Sequence, residues 1–345
     1  MKHVALIDGN HMVRRAYHVM EDLTDAAGNP TGGIFGFLSS VRTTLQALAP
    51  DRVVVFFDGG SDPWRLALHA GYKDRSDRDP VKEAERKRQG AAVSWQVREL
   101  RTKLLPYLGI PCLRLADTEA DDLIYVAREK VTSTLGIHTV VISGDKDFYQ
   151  MVRGDTSIFD PMDKKPHRLM EGPNLITPET FAKHTGMAHP RQFLDFRALT
   201  GDKSDRIPGI PGVGEVTAKA ALAKFGSLRR IVASPGEVRE MGRRFGTIID
   251  HGRIAARNLL LMGFSYRPHT AEETEAVAKV LLDPIPPLSP DVVRVYCREK
   301  RALDFLANLP ELLQLLQSQK MRSDRLCEWV AREHRGSSTR VRSHA

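Results

Sequence analysis

The chain has 345 residues, 41% apolar and 27% charged, with three cysteines, a formal net charge of +8 and a pI ≈ 9.4. This content supports a large buried core. No uninterrupted apolar run nears bilayer-spanning length, and Cys112, Cys297 and Cys327 form neither a disulfide framework nor a zinc spacing.

The N-terminal MKHVALIDGNH reaches an acid too early for a signal peptide, so a cytoplasmic protein without a membrane partner is expected. The positive balance makes a polyanionic partner plausible without establishing one. In KHVALID a short apolar run closes on Asp8, and in RVVVFFDGG the run Val53 to Phe57 delivers Asp58. In HTVVISGDKD, Thr139 to Ile142 precedes Asp145 and Asp147. Strands apolar on both faces, separated by helix-length segments, predict an α/β fold with a mostly parallel sheet flanked by helices. Ligands of such sheets gather outside the carboxyl ends of the strands, so these acids are expected on one edge.

Between the second and third of these strands, residues 62–110 begin charged and are broken by Pro63, Gly71 and Pro80. They read as a mobile basic segment, about residues 72–95, leading into a packed helix over Val93 to Leu108. In ADTEADDLIYVAREK, Thr118 is the expected N-cap, which puts Glu119, Asp121 and Asp122 in the first helical turn. Beyond residue 175 the pattern becomes short helices with polar turns. The expected division is a core over 1–175, a helical region over 176–284 with a hairpin at 207–214, and an extension over 285–345 of open role. Its tail, from about residue 334, is polar and basic enough to predict disorder.

Each acid singly has a local explanation as a turn or helix-start residue. Together, Asp8, Asp58, Glu119, Asp121, Asp122, Asp145 and Asp147 on one edge would repel by about a few kcal/mol per pair, which calls for a cation. Oxygen-only ligation suits Mg²⁺ or Mn²⁺, and the number of carboxylates suits two ions, a geometry used in phosphodiester cleavage. Asp202 and Asp205 can complete the second position. GIPGVG then offers backbone N–H groups of Gly209, Gly212, Val213 and Gly214 to DNA phosphates, with Lys219 and Lys224 on the next helix. Arg65, Tyr72, Lys73, Arg75 and Arg78 could stabilise charge on a scissile phosphate, Tyr72 could stack on a base, and Arg14 and Arg15 are a further pair. The run Arg86, Lys87, Arg88 reads equally well as a solvated face.

LIDGNHMVRRAYH, GNPTGGIFGFL, VVFFD, YKDR, TEADDLIYVAREK, ISGDKDFYQMV and LTGDKSDRIPGIPGVGEVTAKAAL occur in that order. They closely resemble the 5′-nuclease domain of bacterial DNA polymerase I and its free-standing phage and bacterial relatives, the flap endonuclease family. The likeness runs from about residue 3 to about residue 230. It implies a PIN-like fold with a helix-three-turn-helix, and a Mg²⁺-dependent 5′-3′ exonuclease and flap endonuclease acting on flapped, nicked or branched DNA in replication or repair. It places Asp8, Asp58, Glu119 and Asp121 around a first metal with Asp122 beside them, and Asp145, Asp147, Asp202 and Asp205 at a second. Asp121 and Asp145 are the acids most directly tied to catalysis. Lys73 matches the basic residue at the foot of the family's arch, with Arg75 or Arg78 as its partner, and the hairpin implies a K⁺ ion on its carbonyls. Arg206 departs from the asparagine that relatives commonly carry. A monomeric, free-standing enzyme is expected, because the chain ends too soon after the nuclease region for a polymerase. The use of RNA-primed DNA is open. The competing readings are a junction-binding protein that does not cut and a PIN-type ribonuclease.

Overall fold

The structure is a computed structural model that describes residues 2–74, 76, 79–163, 175–300 and 302–333. Arg75, Arg78 and the tail from residue 334 lie outside the described residues.

Among the described residues, six strands form the main sheet: β1 (His3–Asp8), β2 (Arg52–Phe57), β3 (Cys112–Arg114), β4 (His138–Ile142), β5 (Thr156–Phe159) and β6 (Leu175–Ile176). Their order is β3-β2-β1-β4-β5-β6, parallel except for the antiparallel β6. The chain leaves β1 for β2 on one side and returns to β4 on the other, which opens a crevice at the carboxyl ends of the central strands.

The continuous apolar runs have a direct cause, since both sheet faces are covered. Val4, Leu6, Val54 and Phe56 enter one core, with Leu123 and Ile124 of the Ala120–Val126 helix and Val277 of the Ala271–Leu282 helix. Ala5, Ile7, Val55 and Phe57 point the other way, against Met12 of the Gly9–Val19 helix and Phe37 of the Gly32–Leu48 helix. Each large side chain so buried contributes about 1.5–3 kcal/mol. The first core continues into the helical region through Phe193, Phe196 and Leu222.

The Pro290–Glu299 and Leu303–Glu333 helices return to the sheet. Arg52, the first residue of β2 and fully buried, donates to the Ser323 hydroxyl (2.9 Å) and to the carbonyls of Val280 (2.8 Å) and Asp283 (2.6 Å). Gln319 and Arg322 reach the carbonyls of Asp51 and Pro50. The long helix therefore closes the amino-terminal side of β2 and leaves the carboxyl edge clear.

The segment expected to be loose up to Val93 is helical from Pro80 to Glu99. Asp79 accepts from the Val81 N–H (2.9 Å), so Pro80 is a first-turn residue and not a breaker. The helix then widens into a π turn over Leu100–Leu104. Arg86 and Arg88 pair with Glu83 and Glu85 one turn back, as a solvated helix face does.

In the helical region, β7 (Gly201–Asp202) and β8 (Ile207–Pro208) form a short antiparallel ladder. It joins the Gln192–Thr200 helix to the Glu215–Phe225 helix. No helix among the described residues is long and apolar enough to cross a membrane.

Candidate active site

The strand-end acids serve locally as caps. Asp8 accepts from the His11 N–H (3.1 Å) at the start of the Gly9–Val19 helix and from the Ser143 hydroxyl (3.1 Å) beyond β4. Asp58 accepts from the Ala120 N–H (2.9 Å) and so caps the next helix across space. Thr118, expected in that role, donates to the Ala116 carbonyl and to Glu273, while Glu119 holds the cap position. Asp145 accepts from the Asp147 N–H (2.9 Å), and its other oxygen lies 3.8 Å from His11 Nδ1.

These caps also hold the carboxylates close together. Burial, then Asp58 and Asp145, pushes the Asp8 carboxyl up to about 8. Burial, then Asp8 and Asp145, raises Asp121 well above the usual range. Asp147 is pushed up to about 7 by burial and Asp145, against the pull of Arg197. Asp147, Asp202 and Asp205 bring carboxylate oxygens within 4.8 Å of one another. Hard oxygen donors that cannot all ionise unaided fit a divalent cation of the magnesium type.

Lys73 lines the cleft with Asp121, Asp145, Asp147, Asp202 and Asp205. Its backbone has φ +53°, its N–H donates to the Asp205 carbonyl (3.0 Å), and Nζ meets Glu119 Oε2 at 2.8 Å. The same Glu119 oxygen accepts from the Tyr72 hydroxyl (3.0 Å).

Several expected placements differ. Asp122 is fully buried and bound at both oxygens by Arg65 (2.6 and 2.8 Å), whose guanidinium also lies 3.4 Å from Glu119. Arg65, 2% exposed, also donates to Asp62 (2.9 Å) and the Leu261 carbonyl (2.9 Å), so its guanidinium is held in the interior by protein partners. The buried Asp122 and Asp62 account for this, since Arg267, the other cation beside them, cannot neutralise both. Tyr72 is 6% exposed, its ring held between Arg65 and Lys73, which leaves little face for a base.

The hairpin glycines divide. A Cβ on Gly209 would come within 2.3 Å of the Thr200 carbonyl oxygen, so its close approach is to its own chain. Val213 buries its side chain and donates its N–H to Ile210 (3.0 Å), which removes that donor from a phosphate. Gly212 (φ +76°) and Gly214 have nothing within 4 Å of a would-be Cβ; both are exposed. Lys219 turns back to the Thr185 carbonyl (2.9 Å) over the Phe196 ring, and Arg15 pairs with Asp160 (2.6 Å).

Arg197 is the residue that sequence patterns alone do not single out. From the last turn of the Gln192–Thr200 helix it bonds Asp202 and lies 3.2 Å from Asp147. A basic residue closing a helix just before an acid was the available signal. Arg206 adopts φ +58°, a left-handed conformation that asparagine tolerates better. Its guanidinium reaches the Ser76 carbonyl (2.9 Å), which ties the hairpin to the segment beside Lys73.

The raised carboxyls give a pH prediction. With folded values near 8 and 7 against an ordinary 3.8, Asp8 and Asp147 make the metal-free fold bind more protons than the unfolded chain between about pH 4 and 8. Stability must then fall as pH rises through that window. In EDTA the melting temperature should drop from pH 5 to pH 8, and a divalent cation should reverse most of the drop at pH 8. A melting temperature that rises over this range would contradict the charge crowding.

The family model described as the 5′-3′ exonuclease N-terminal resolvase-like domain matches residues 3–186, and that of the 5′-3′ exonuclease C-terminal SAM fold matches 188–259. The thermostable DNA polymerase I of Thermus aquaticus is 33% identical over 229 residues, 66% of this chain and 25% of that protein. The chain thus spans about a quarter of the length of such polymerase relatives. A 5′-3′ exonuclease of Aquifex aeolicus is 32% identical over 234 residues, 68% of this chain and 73% of the relative. Among solved structures, the bacteriophage T5 D15 protein co-crystallised with metal ions superposes with a TM-score of 0.61 at 17% identity, covering 90% of this chain and 100% of that one. The T5 D15 flap endonuclease in a complex with DNA and metal ions gives 0.59 at 18%, covering 91% and 100%. These two likenesses establish the shared fold.

Proposed function

Because the chain belongs to the 5′-3′ exonuclease family, we propose that it is a divalent-metal-dependent 5′-3′ exonuclease and flap endonuclease acting on flapped, nicked or branched DNA. The observation that carries this reading is the convergence of Asp8, Asp121, Asp145 and Asp147 at the carboxyl ends of the central strands, with Lys73 in the same cleft.

Asp8, Asp58, Glu119 and Asp121 would hold one Mg²⁺, and Asp145, Asp147, Asp202 and Asp205 a second, with Mn²⁺ able to substitute. Bound there, such ions supply a water acidic enough to attack phosphorus and a counter-charge for the leaving oxygen. The rest falls to the chain's own groups. Lys73 Nζ, lying between the two acid groups, exchanges Glu119 for an oxygen of the scissile phosphate as charge develops there. Gly212 and Gly214, exposed before the Glu215–Phe225 helix, offer backbone N–H groups to the duplex, and the hairpin carbonyls a seat for K⁺.

Lys73→Ala should slow single-turnover flap cleavage by about 10²-fold or more while flap affinity changes only severalfold. Normal turnover at saturating substrate would remove Lys73 from the mechanism. Cleavage of a branched DNA duplex should exceed cleavage of single-stranded RNA of the same length. The reverse preference would favour a ribonuclease.

A further inference from the structure

The second acid group already contains a cation. Arg197 Nη2 bonds Asp202 Oδ2 and lies 3.2 Å from Asp147 Oδ1, so one nitrogen bridges two of the three acids whose oxygens converge. The remaining Asp202 oxygen is taken by the Ser204 N–H (2.8 Å) and hydroxyl (2.5 Å). Both Asp202 oxygens therefore have donors before any ion arrives. The first group also meets cations, but Lys73 (2.8 Å) and Arg65 (3.4 Å) share the one oxygen Oε2 of Glu119.

We propose that Arg197 is a resident counter-cation of the Asp147, Asp202 and Asp205 group, which a second divalent ion must displace, so that Arg197 sets the order and affinity of ion loading. The inference rests on the metal-dependent reading above. A divalent ion of the magnesium type needs carboxylate lone pairs at about 2.0–2.1 Å, and Arg197 now holds two of them. The contacts set a guanidinium against the carboxylates that the ion needs, so losing them weakens the ion's net affinity. Arg197 Nε is buried without a hydrogen-bond partner, which leaves the guanidinium only partly satisfied where it sits. Arg197 is thus a positioning residue that acts through the acids.

The test is Mn²⁺ binding to the DNA-free protein, followed by titration calorimetry and by the free-ion electron paramagnetic resonance signal. The wild-type chain should show one tighter and one weaker site. Arg197→Gln should tighten the weaker site at least tenfold, about 1.4 kcal/mol, and leave the tighter one within threefold. Arg197→Lys keeps a charge but lacks the planar fork, so its weaker site should fall between the two. In EDTA, Arg197→Gln should melt below wild type, and Mn²⁺ should erase the difference.

An unchanged or weakened second site in a cooperatively melting Arg197→Gln protein would overturn the proposal and make Arg197 a mere organiser of the acids. If Arg197→Gln does not fold, a second site in Arg197→Lys equal to wild type overturns it equally. Absence of Mn²⁺ uptake by wild type would overturn the functional reading and this inference with it. Two-site uptake and the predicted tightening without any flap cleavage would overturn the functional reading alone.

Discussion

Replacing Asp121 by asparagine should cut flap cleavage by about 10³-fold or more, equivalent to ~4 kcal/mol of transition-state stabilisation, and leave flap binding within an order of magnitude. Asp121 is half-buried in the cleft, and its carboxyl is raised by desolvation and then by Asp8 and Asp145. The amide has the same shape but no negative charge, so a bound cation loses a ligand while the groups that meet DNA stay in place. The same change should raise the melting temperature in EDTA at pH 8, because one crowded acid is gone. Asp145→Asn should behave alike in cleavage. Loss of cleavage with a lowered EDTA melting temperature would instead mean that Asp121 holds the fold together.

Arg65→Met should destabilise the protein by about 3–5 kcal/mol, the cost of leaving a buried charge without its partner. Arg65 neutralises Asp122 through two bonds and Asp62 through a third, and lies 3.4 Å from Glu119. Arg267 also reaches Asp62 (2.7 Å) and stands 3.4 Å from Asp122, so it softens the loss toward the lower figure. Adding Asp122→Leu to Arg65→Met should recover a large part of the stability, measured by urea unfolding. A variant of normal stability with weakened flap affinity would return Arg65 to the DNA surface.

The strand-end acids are legible in the sequence because a parallel sheet announces itself twice, in its apolar runs and in the acids that close them. Asp8, Asp58, Asp145 and Asp147 needed only that geometry. The pair Asp121 and Asp122 shows where such legibility ends. Adjacent helical residues differ by about 100° around the axis, so one faces the cleft and the other a buried arginine, and the sequence carries no mark of which. Arg65 and Tyr72 are expected at a scissile phosphate and against a base, yet they turn in to meet Asp122 and Glu119. Pro80 reads as a breaker because a first-turn proline and a terminating one differ only in the Asp79 cap before it. The hairpin motif is visible as a unit, but which of its glycines serves the fold and which stays open depends on β7 crossing behind Gly209. Arg197 stays hidden because its partners come from both sides of the chain, Asp147 after β4 and Asp202 on β7.

The central claim is that the acids at the sheet edge hold catalytic cations. It is tested most directly by incubating the purified protein with a 5′-end-labelled DNA flap in Mg²⁺, beside the same reaction in EDTA. The account predicts release of a labelled fragment cut near the branch point in Mg²⁺ and an intact strand in EDTA. Flap binding without cleavage in either Mg²⁺ or Mn²⁺ would contradict it and leave a protein that recognises DNA junctions without cutting them.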